Sequence, residues 1–183
     1  MLKRICPHCG RTYAVGTQCD CAQSRRKKRE QRKNYDQYNR NKDAASFYHS
    51  TNWEKLSDAV RRRSSYADTL QSYLSILIRR GMLLHYVQNQ QTDAGRNIVK
   101  TLVSLLVSDT GVPMQFPTKR VRLVVHHVVP RDDDKSREYD PDNLIALLPV
   151  VHNLVHDYYD ASQADKEAMQ RILFDCINYF KGA

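Results

Sequence analysis

The segment from 121 to 160 constrains the fold of this chain more than any other part of it. It contains an apolar β-branched run (121–129), a polar stretch (131–143), a second apolar run (144–148) and an amphipathic stretch headed by proline (149–160). Short Val- and Ile-rich runs between turn residues are typical of strands, and proline suits the first turn of a helix. The order predicts strand, loop, strand and helix.

This segment carries four of the seven histidines of the chain. His126 and His127 are neighbours on the first predicted strand, so their side chains point to opposite faces. His152 and His156 are four residues apart on the predicted helix, a spacing that places two metal ligands on one face. One histidine of the strand pair would complete a three-ligand metal site. The other would remain for general-base chemistry on a water that attacks a phosphate.

Three pieces of the segment resemble the HNH endonucleases: "VHHVVP" at 125–130, "PDNLIALL" at 141–148 and "HNLVH" at 152–156. The resemblance is strongest to the small bacteriophage-type HNH proteins, and extends more loosely to the N-terminal cysteines and to "FYHSTNW" at 47–53. It implies an α+β, mainly helical fold around a ββα-metal (His-Me finger) core at about 121–160.

The resemblance also implies the roles of individual residues. His127 would be the general base, and Asn143 would brace the loop between the strands and so orient that base. One catalytic divalent ion (Mg²⁺, Mn²⁺, Ni²⁺ or Zn²⁺) would be held by His126, His152 and His156. The implied activity is hydrolysis of DNA phosphodiester bonds to 5′-phosphate and 3′-hydroxyl ends. In phage relatives such nucleases often work beside the terminase in DNA packaging, so terminase is an expected partner besides DNA.

Four of the five cysteines lie close together near the N-terminus, at Cys6, Cys9, Cys19 and Cys21. Two thiolate pairs at this spacing predict a small knuckle around one structural zinc ion. The second pair has the less usual Cys-x-Cys spacing, so His8 is an alternative fourth ligand. Because residues 1–22 are too few to build a core, metal would be the reason for any order there.

Positive charge is concentrated in the first quarter of the chain. Residues 1–43 hold twelve Lys or Arg and four Asp or Glu, a net charge of +8 out of +9 for the whole chain. A basic segment attached to a neutral body suggests a polyanionic partner such as DNA. The residues predicted to contact nucleic acid are Arg25, Arg26, Lys27, Lys28, Arg29, Arg32, Lys33, Arg61, Arg62 and Arg63.

The pattern predicts a basic linker at 23–43, or a helix that forms only against a partner, and then a helical nuclease domain at 44–183. Within that domain, Thr51 is the expected N-cap of one helix, and apolar residues from Tyr66 to Ile78 mark a second that stops at Gly81. Residues 82–89 are expected to form a short strand. Further helices are predicted at 94–108 and 162–180.

The sequence contains neither an apolar run of membrane-spanning length nor a secretory signal, so we expect no membrane partner and a cytoplasmic location, that of the host if a phage encodes the chain.

Two functions compete with the nuclease. A non-catalytic zinc-bearing nucleic-acid-binding protein would use all four histidines as ligands of a closed site. A packaging adaptor would use its long helices as docking surfaces and would not depend on His127.

Overall fold

The structure is a computed structural model that describes residues 3–14, 17, 19–34, 41–115 and 122–182. The chain divides into two compact units, residues 1–50 and 51–183. Each unit contains a two-stranded antiparallel sheet, and most of the other described residues are helical. The predicted class, α+β and mainly helical, is therefore confirmed.

In the first unit, strand β1 (Lys3–Ile5) pairs with β2 (Thr12–Ala14). The turn between them holds two of the cysteines and ends at Gly10, whose φ of 69° is a left-handed conformation that favours glycine. Two helices follow, α1 (Ala22–Asn34) and α2 (Lys42–Tyr48). The segment expected as a linker is thus helical up to residue 34, while residues 35–40 lie outside the described part of the chain.

The second unit contains, within its described residues, six α-helices and one hairpin, whose connecting loop carries two short 3-10 helices (Lys135–Arg137 and Pro141–Asn143). The helices are α3 (Thr51–Arg63), α4 (Thr69–Arg79), α5 (Leu83–Gln88), α6 (Asp93–Leu106), α7 (Pro149–Ala161) and α8 (Gln163–Lys181). The hairpin strands are β3 (Val124–His127) and β4 (Leu144–Leu147). The predicted order of strand, loop, strand and helix is observed at this place, with residue 121 of the predicted strand outside the described ranges.

The core of the second unit lies where the hairpin and the helices α4, α6, α7 and α8 meet. It includes fully buried aliphatic side chains from each element, such as Leu74, Leu102, Ile145, Val155 and Leu173. Each such side chain contributes about 1.5–3 kcal/mol by leaving water. The hairpin and the start of α7 are therefore fixed by apolar packing.

Two sequence predictions need correction. The expected strand at 82–89 is wrong, because Leu83–Gln88 form helix α5. Tyr66 does not belong to the following helix, which begins at Thr69 with Asp68 as its N-cap. Ser65 and Tyr66 instead have φ values of 53° and 57°, so the chain turns sharply between α3 and α4.

The pairing of β3 with β4 decides which way each histidine points. His126 lies opposite Ile145, and His127 lies opposite Leu144. Since successive residues of a strand alternate between faces, one histidine faces the side covered by α7 and the other faces the opposite side. Ring contacts agree, because His126 contacts Tyr159 of α7 whereas His127 contacts Trp53 of α3.

Candidate functional site

Three of the predicted metal ligands come together. The ring centroid of His126 lies 5.1 Å from those of both His152 and His156. One nitrogen from each ring can be chosen so that all three lie within 4.8 Å of one another. The Nε2 atoms of His152 and His156 are 3.2 Å apart, close to the roughly 3.3 Å between nitrogens that bind one tetrahedral zinc ion.

The electrostatics of this cluster suit a cation. Burial lowers the pKa of His126 to about 3, and the neighbouring His152 and His156 lower it further in the same direction. Burial also lowers the pKa of His152. His126 Nε2 is buried and makes no hydrogen bond with any described residue. A buried polar atom without a partner is costly, and this nitrogen is placed where a metal ion could bind it together with His152 and His156.

His127 is held differently from its neighbour. Its Nε2 lies 3.0 Å from the carbonyl oxygen of Glu138. A carbonyl can only accept, so Nε2 carries the hydrogen and Nδ1 of the neutral ring keeps its lone pair. Burial lowers the pKa of His127, which favours that neutral form. The ring therefore presents a proton acceptor with a defined tautomer.

The loop between the strands is fastened at both ends. The Asn143 side chain accepts from the backbone N–H of Val129 at 2.7 Å and donates to the Val129 carbonyl at 3.0 Å. Glu138, whose carbonyl holds His127, forms an ion pair with buried Arg131 at 2.6 Å. These contacts fix the position of the Glu138 carbonyl and, through it, the imidazole of His127.

The end of β3 that leads into this loop is also tied to the helices. Tyr159 of α7 donates its hydroxyl to the Val128 carbonyl at 2.7 Å, and Gln170 of α8 donates to the same oxygen at 3.0 Å. The single Val128 carbonyl oxygen thus accepts two hydrogen bonds, one for each lone pair, from side chains of the two helices that follow the hairpin. The strand that carries both histidines cannot shift without losing these bonds.

The three consecutive arginines at the end of α3 have different surroundings. Arg61 donates through Nε to the Leu123 carbonyl at 2.9 Å, and Arg63 donates to the Leu144 carbonyl at 2.9 Å. Arg62 instead pairs with Asp58 on its own helix. Two of these three predicted phosphate contacts are thus engaged with the hairpin backbone, and DNA contact by any of them stays a prediction.

The four N-terminal cysteines form a second cluster. Their sulfurs lie within 4.8 Å of one another. Cys9 Sγ is 3.4 Å from Cys19 Sγ, and Cys6 Sγ is 3.9 Å from Cys21 Sγ. Sulfurs around one zinc ion are about 3.8 Å apart, given Zn–S bonds of about 2.3 Å. The cysteines lie close enough to hold a metal ion, and His8 does not belong to the cluster.

The start of α1 supports this cysteine cluster. The backbone N–H of Ser24 donates to Cys21 Sγ at 3.4 Å. Hydrogen bonding with the Ser24 hydroxyl, and then with its backbone N–H, lowers the pKa of Cys21 to about 6. A thiolate is the form that binds zinc, so this contact prepares Cys21 as a ligand.

The other seven residues predicted to contact nucleic acid lie on α1 in the first unit. The side chains from Arg25 to Arg29, and that of Lys33, are exposed. Arg25 pairs with Asp20 at 3.5 Å and Arg26 pairs with Glu30 at 3.0 Å. The Arg32 side chain lies outside the described part of the structure. The helix therefore presents a continuous basic run to solvent.

Comparison with family models, with curated proteins and with solved structures finds no match to this chain. Within the described ranges, no helix combines the length and apolar composition needed to cross a membrane. Any statement about activity therefore depends on the residues themselves.

Sequence reasoning missed two parts of the site. Trp53 stacks on His127, and the Glu138 carbonyl fixes the tautomer of that ring. A backbone carbonyl leaves no signal in a sequence. Trp53 is the single tryptophan of the chain and ends the stretch "FYHSTNW" that carries the looser part of the resemblance, but the sequence predicted no role for it in the site.

Proposed function

We propose that this protein is a metal-dependent DNA endonuclease of the HNH type, with β3, β4 and α7 as its ββα-metal core. The observation that carries the proposal is the different setting of two adjacent histidines. His126 turns a buried nitrogen toward His152 and His156. His127 faces away from that cluster and keeps Nδ1 as a proton acceptor.

One divalent ion would be held by His126, His152 and His156. When bound, it would supply Lewis-acid stabilisation of the negative charge that develops on the phosphate and on the departing 3′ oxygen. Three histidine ligands leave coordination positions for substrate, as catalytic metal sites require. The fit is chemical as well as geometric, because burial lowers the pKa of His126 and of His152 and so favours the neutral imidazole, which has one nitrogen lone pair to offer a metal ion.

His127 would act as the general base. Its Nδ1 would take the proton of the attacking water, while the Nε2 hydrogen remains bonded to the Glu138 carbonyl and stabilises the imidazolium that forms. Asn143 and the ion pair of Arg131 with Glu138 would keep that carbonyl in place. His126 and His127 are consecutive residues, so their Cα atoms are about 3.8 Å apart. The same short stretch of backbone would therefore position both the metal ligand and the general base.

The first unit would bind substrate. Its exposed basic helix α1 suits the DNA backbone, where cationic side chains supply affinity that does not depend on sequence. The four cysteines would hold one structural zinc ion, which would order the hairpin from β1 to β2. Terminase as a partner follows from the family resemblance alone.

The closed zinc-binding alternative requires His127 to be a fourth metal ligand. The Nε2 atom of His127 is instead bonded to a backbone carbonyl, and the ring is absent from the cluster formed by the other three. This arrangement favours the nuclease over a histidine site without a base.

The test is nicking of a supercoiled plasmid in EDTA or with Mg²⁺, Mn²⁺, Ni²⁺ or Zn²⁺ added. We expect metal-dependent nicking by the wild type, leaving 5′-phosphate ends. His127→Ala should lower the rate by about a hundredfold or more and still bind the ion. His152→Ala should lose metal affinity and activity together. His85→Ala is the matched control, since His85 lies on α5, where its Nε2 is hydrogen-bonded to the Asn89 side chain at 2.8 Å.

Two results would contradict the proposal. One is absence of nicking with every ion by a folded protein that binds both DNA and metal, even after terminase is added. The other is loss of metal by His127→Ala, which would make His127 a ligand instead of the base.

A further inference from the structure

We propose that Trp53 is a positioning residue for His127: its indole forms the surface that sets the plane of the imidazole. This inference rests on the proposed function, because it concerns the ring assigned as general base. It extends the site beyond the hairpin and α7 to a residue of α3 that lies more than seventy positions before His127 in the chain.

The contact itself has a specific geometry. The ring centroids of Trp53 and His127 are 5.0 Å apart and their planes differ by 15°. The ring contacts of His126 with its neighbours are instead edge-on, at 67–89°. A near-parallel contact opposes tilting of the imidazole across its whole face, and such ring pairs contribute more than their buried area alone.

Stacking supplies the restraint that the hydrogen bond cannot. The bond from Nε2 to the Glu138 carbonyl fixes the direction of one ring nitrogen. It still allows the ring to rock about that bond, because the second side-chain torsion of histidine has a broad energy minimum. A flat neighbour removes this freedom. Together the two contacts define where the lone pair of Nδ1 points.

Helix α3 is held firmly enough to serve as a platform. Arg61 bonds to the carbonyl of Leu123, just before β3, and Arg63 bonds to that of Leu144 on β4. From Trp53 to Arg61 the helix rises about 12 Å, and from His127 back to Leu123 the strand spans about 13 Å. The matching lengths mean that α3 lies along β3 in the opposite direction, with contacts at both ends.

Trp53 is not simply a member of the main core. It is buried, with 8% of its surface exposed, yet it lies outside the hydrophobic cluster of the second unit. His127 lies opposite Leu144 on the same face of the hairpin, and Leu144 is buried but also lies outside that cluster. The two rings therefore cover one another on the face of the hairpin that is turned away from the core.

The experiment compares Trp53→Leu, which removes the flat surface, with Trp53→Phe, which keeps one. Nicking is measured at fixed pH and saturating metal, to give kcat and KM separately, together with metal affinity by titration. Val60→Ala is the matched control, because Val60 is a buried residue of the same helix and lies about 10 Å along the helix axis from Trp53.

We expect Trp53→Leu to lower kcat by about ten- to a hundredfold, the range that follows from misplacing a reacting group by about 1 Å. KM and metal affinity should stay within about twofold, since neither DNA binding nor the three ligands are touched. Trp53→Phe should retain kcat within about threefold. If Trp53→Leu does not fold, Trp53→Met replaces it, because its side chain is apolar and flexible without being flat.

Three outcomes would overturn the inference while leaving the nuclease intact: unchanged kcat in Trp53→Leu, equal losses in Trp53→Leu and Trp53→Phe, or the same loss of kcat in Val60→Ala. A wild type that cuts nothing overturns the proposed function, and the positioning role with it.

The contact between Trp53 and His127 can also be followed directly, because Trp53 is the only tryptophan of the chain. His127→Ala should change its fluorescence, and His85→Ala should not.

Discussion

Asp68 shows how one buried carboxylate joins two elements of the second unit. Its Oδ1 accepts from the backbone N–H of Gln71 at 2.8 Å, and its Oδ2 accepts from that of Leu148 at 2.6 Å. The first bond caps α4, and the second fixes the residue that precedes α7. Only 5% of Asp68 is exposed, and this burial raises the pKa of its carboxyl to about 6.

This raised pKa predicts a specific pH dependence. The folded protein holds a proton on Asp68 between about pH 4 and pH 6, where the unfolded chain has lost it, so the free energy of unfolding falls as pH rises through this window. The full change is about 3 kcal/mol. Asp68→Asn cannot titrate, so the stability of the wild type relative to the variant should decrease from pH 4 to pH 7. Urea unfolding checks this, and a difference that does not vary with pH would contradict it.

The residues of the site differ in how far the sequence could predict them. The opposite directions of His126 and His127 follow from strand alternation, and the shared face of His152 and His156 follows from helical spacing. These are local properties. The stacking of Trp53 on His127 depends on where α3 packs, and no periodicity in the sequence contains that information.

At the scale of elements, α3 connects the helical part of the second unit to the hairpin through its last turn. Arg63 bonds to the carbonyl of Leu144, and also to that of Pro141 at 3.2 Å. Arg62, its neighbour in sequence, forms an exposed ion pair within the helix. Identical side chains in adjacent positions thus have different surroundings, and the sequence "RRR" does not distinguish them.

This difference predicts unequal effects on stability. Arg63→Gln should lower the free energy of unfolding by about 1 kcal/mol, because it leaves two backbone carbonyls without their charged donor. Arg62→Gln should change it by less than about 0.5 kcal/mol, since an exposed pair of this spacing contributes little. Chemical denaturation of the two variants provides the comparison. Equal losses, or a larger loss for Arg62→Gln, would show that the tie to β4 is not important for folding.

Sequence patterns failed where elements are short. Residues 82–89 contain apolar side chains that fit either a strand or a helix, and the run is too short for periodicity to separate them. The structure has a helix there, in which Leu83, Tyr86 and Val87 face the core at helical spacing. The longer helices α6, α7 and α8 lie within a few residues of their predicted bounds, because several turns repeat the same apolar stripe.

At the scale of the whole molecule, the two units are stabilised in different ways. The second has a large apolar core, whereas the first contains only Cys6 and Phe47 as buried apolar residues within its described ranges. We therefore expect a strong chelator to abolish hydrogen-exchange protection at β1 and β2, and to leave α4, α6 and α8 protected. Cys9→Ser should also lose about one zinc ion per chain. Persistent protection of β1 in metal-free protein would contradict a structural role for zinc.

The uneven charge of the chain gives the last prediction. Most of the net charge of +9 belongs to the first 43 residues, and Lys27, Lys28 and Arg29 are exposed on α1. If these side chains meet phosphates, each contributes about 0.9 to the slope of log affinity against log salt. Replacing all three by Gln should reduce that slope by about 2–3, while Lys→Arg replacements at 27 and 28 should preserve it. DNA binding measured by fluorescence anisotropy across a salt series separates the two cases. An unchanged slope in the Gln variant would show that these three side chains of α1 do not contact the phosphates. The arginines of α3 would then be the next residues to test.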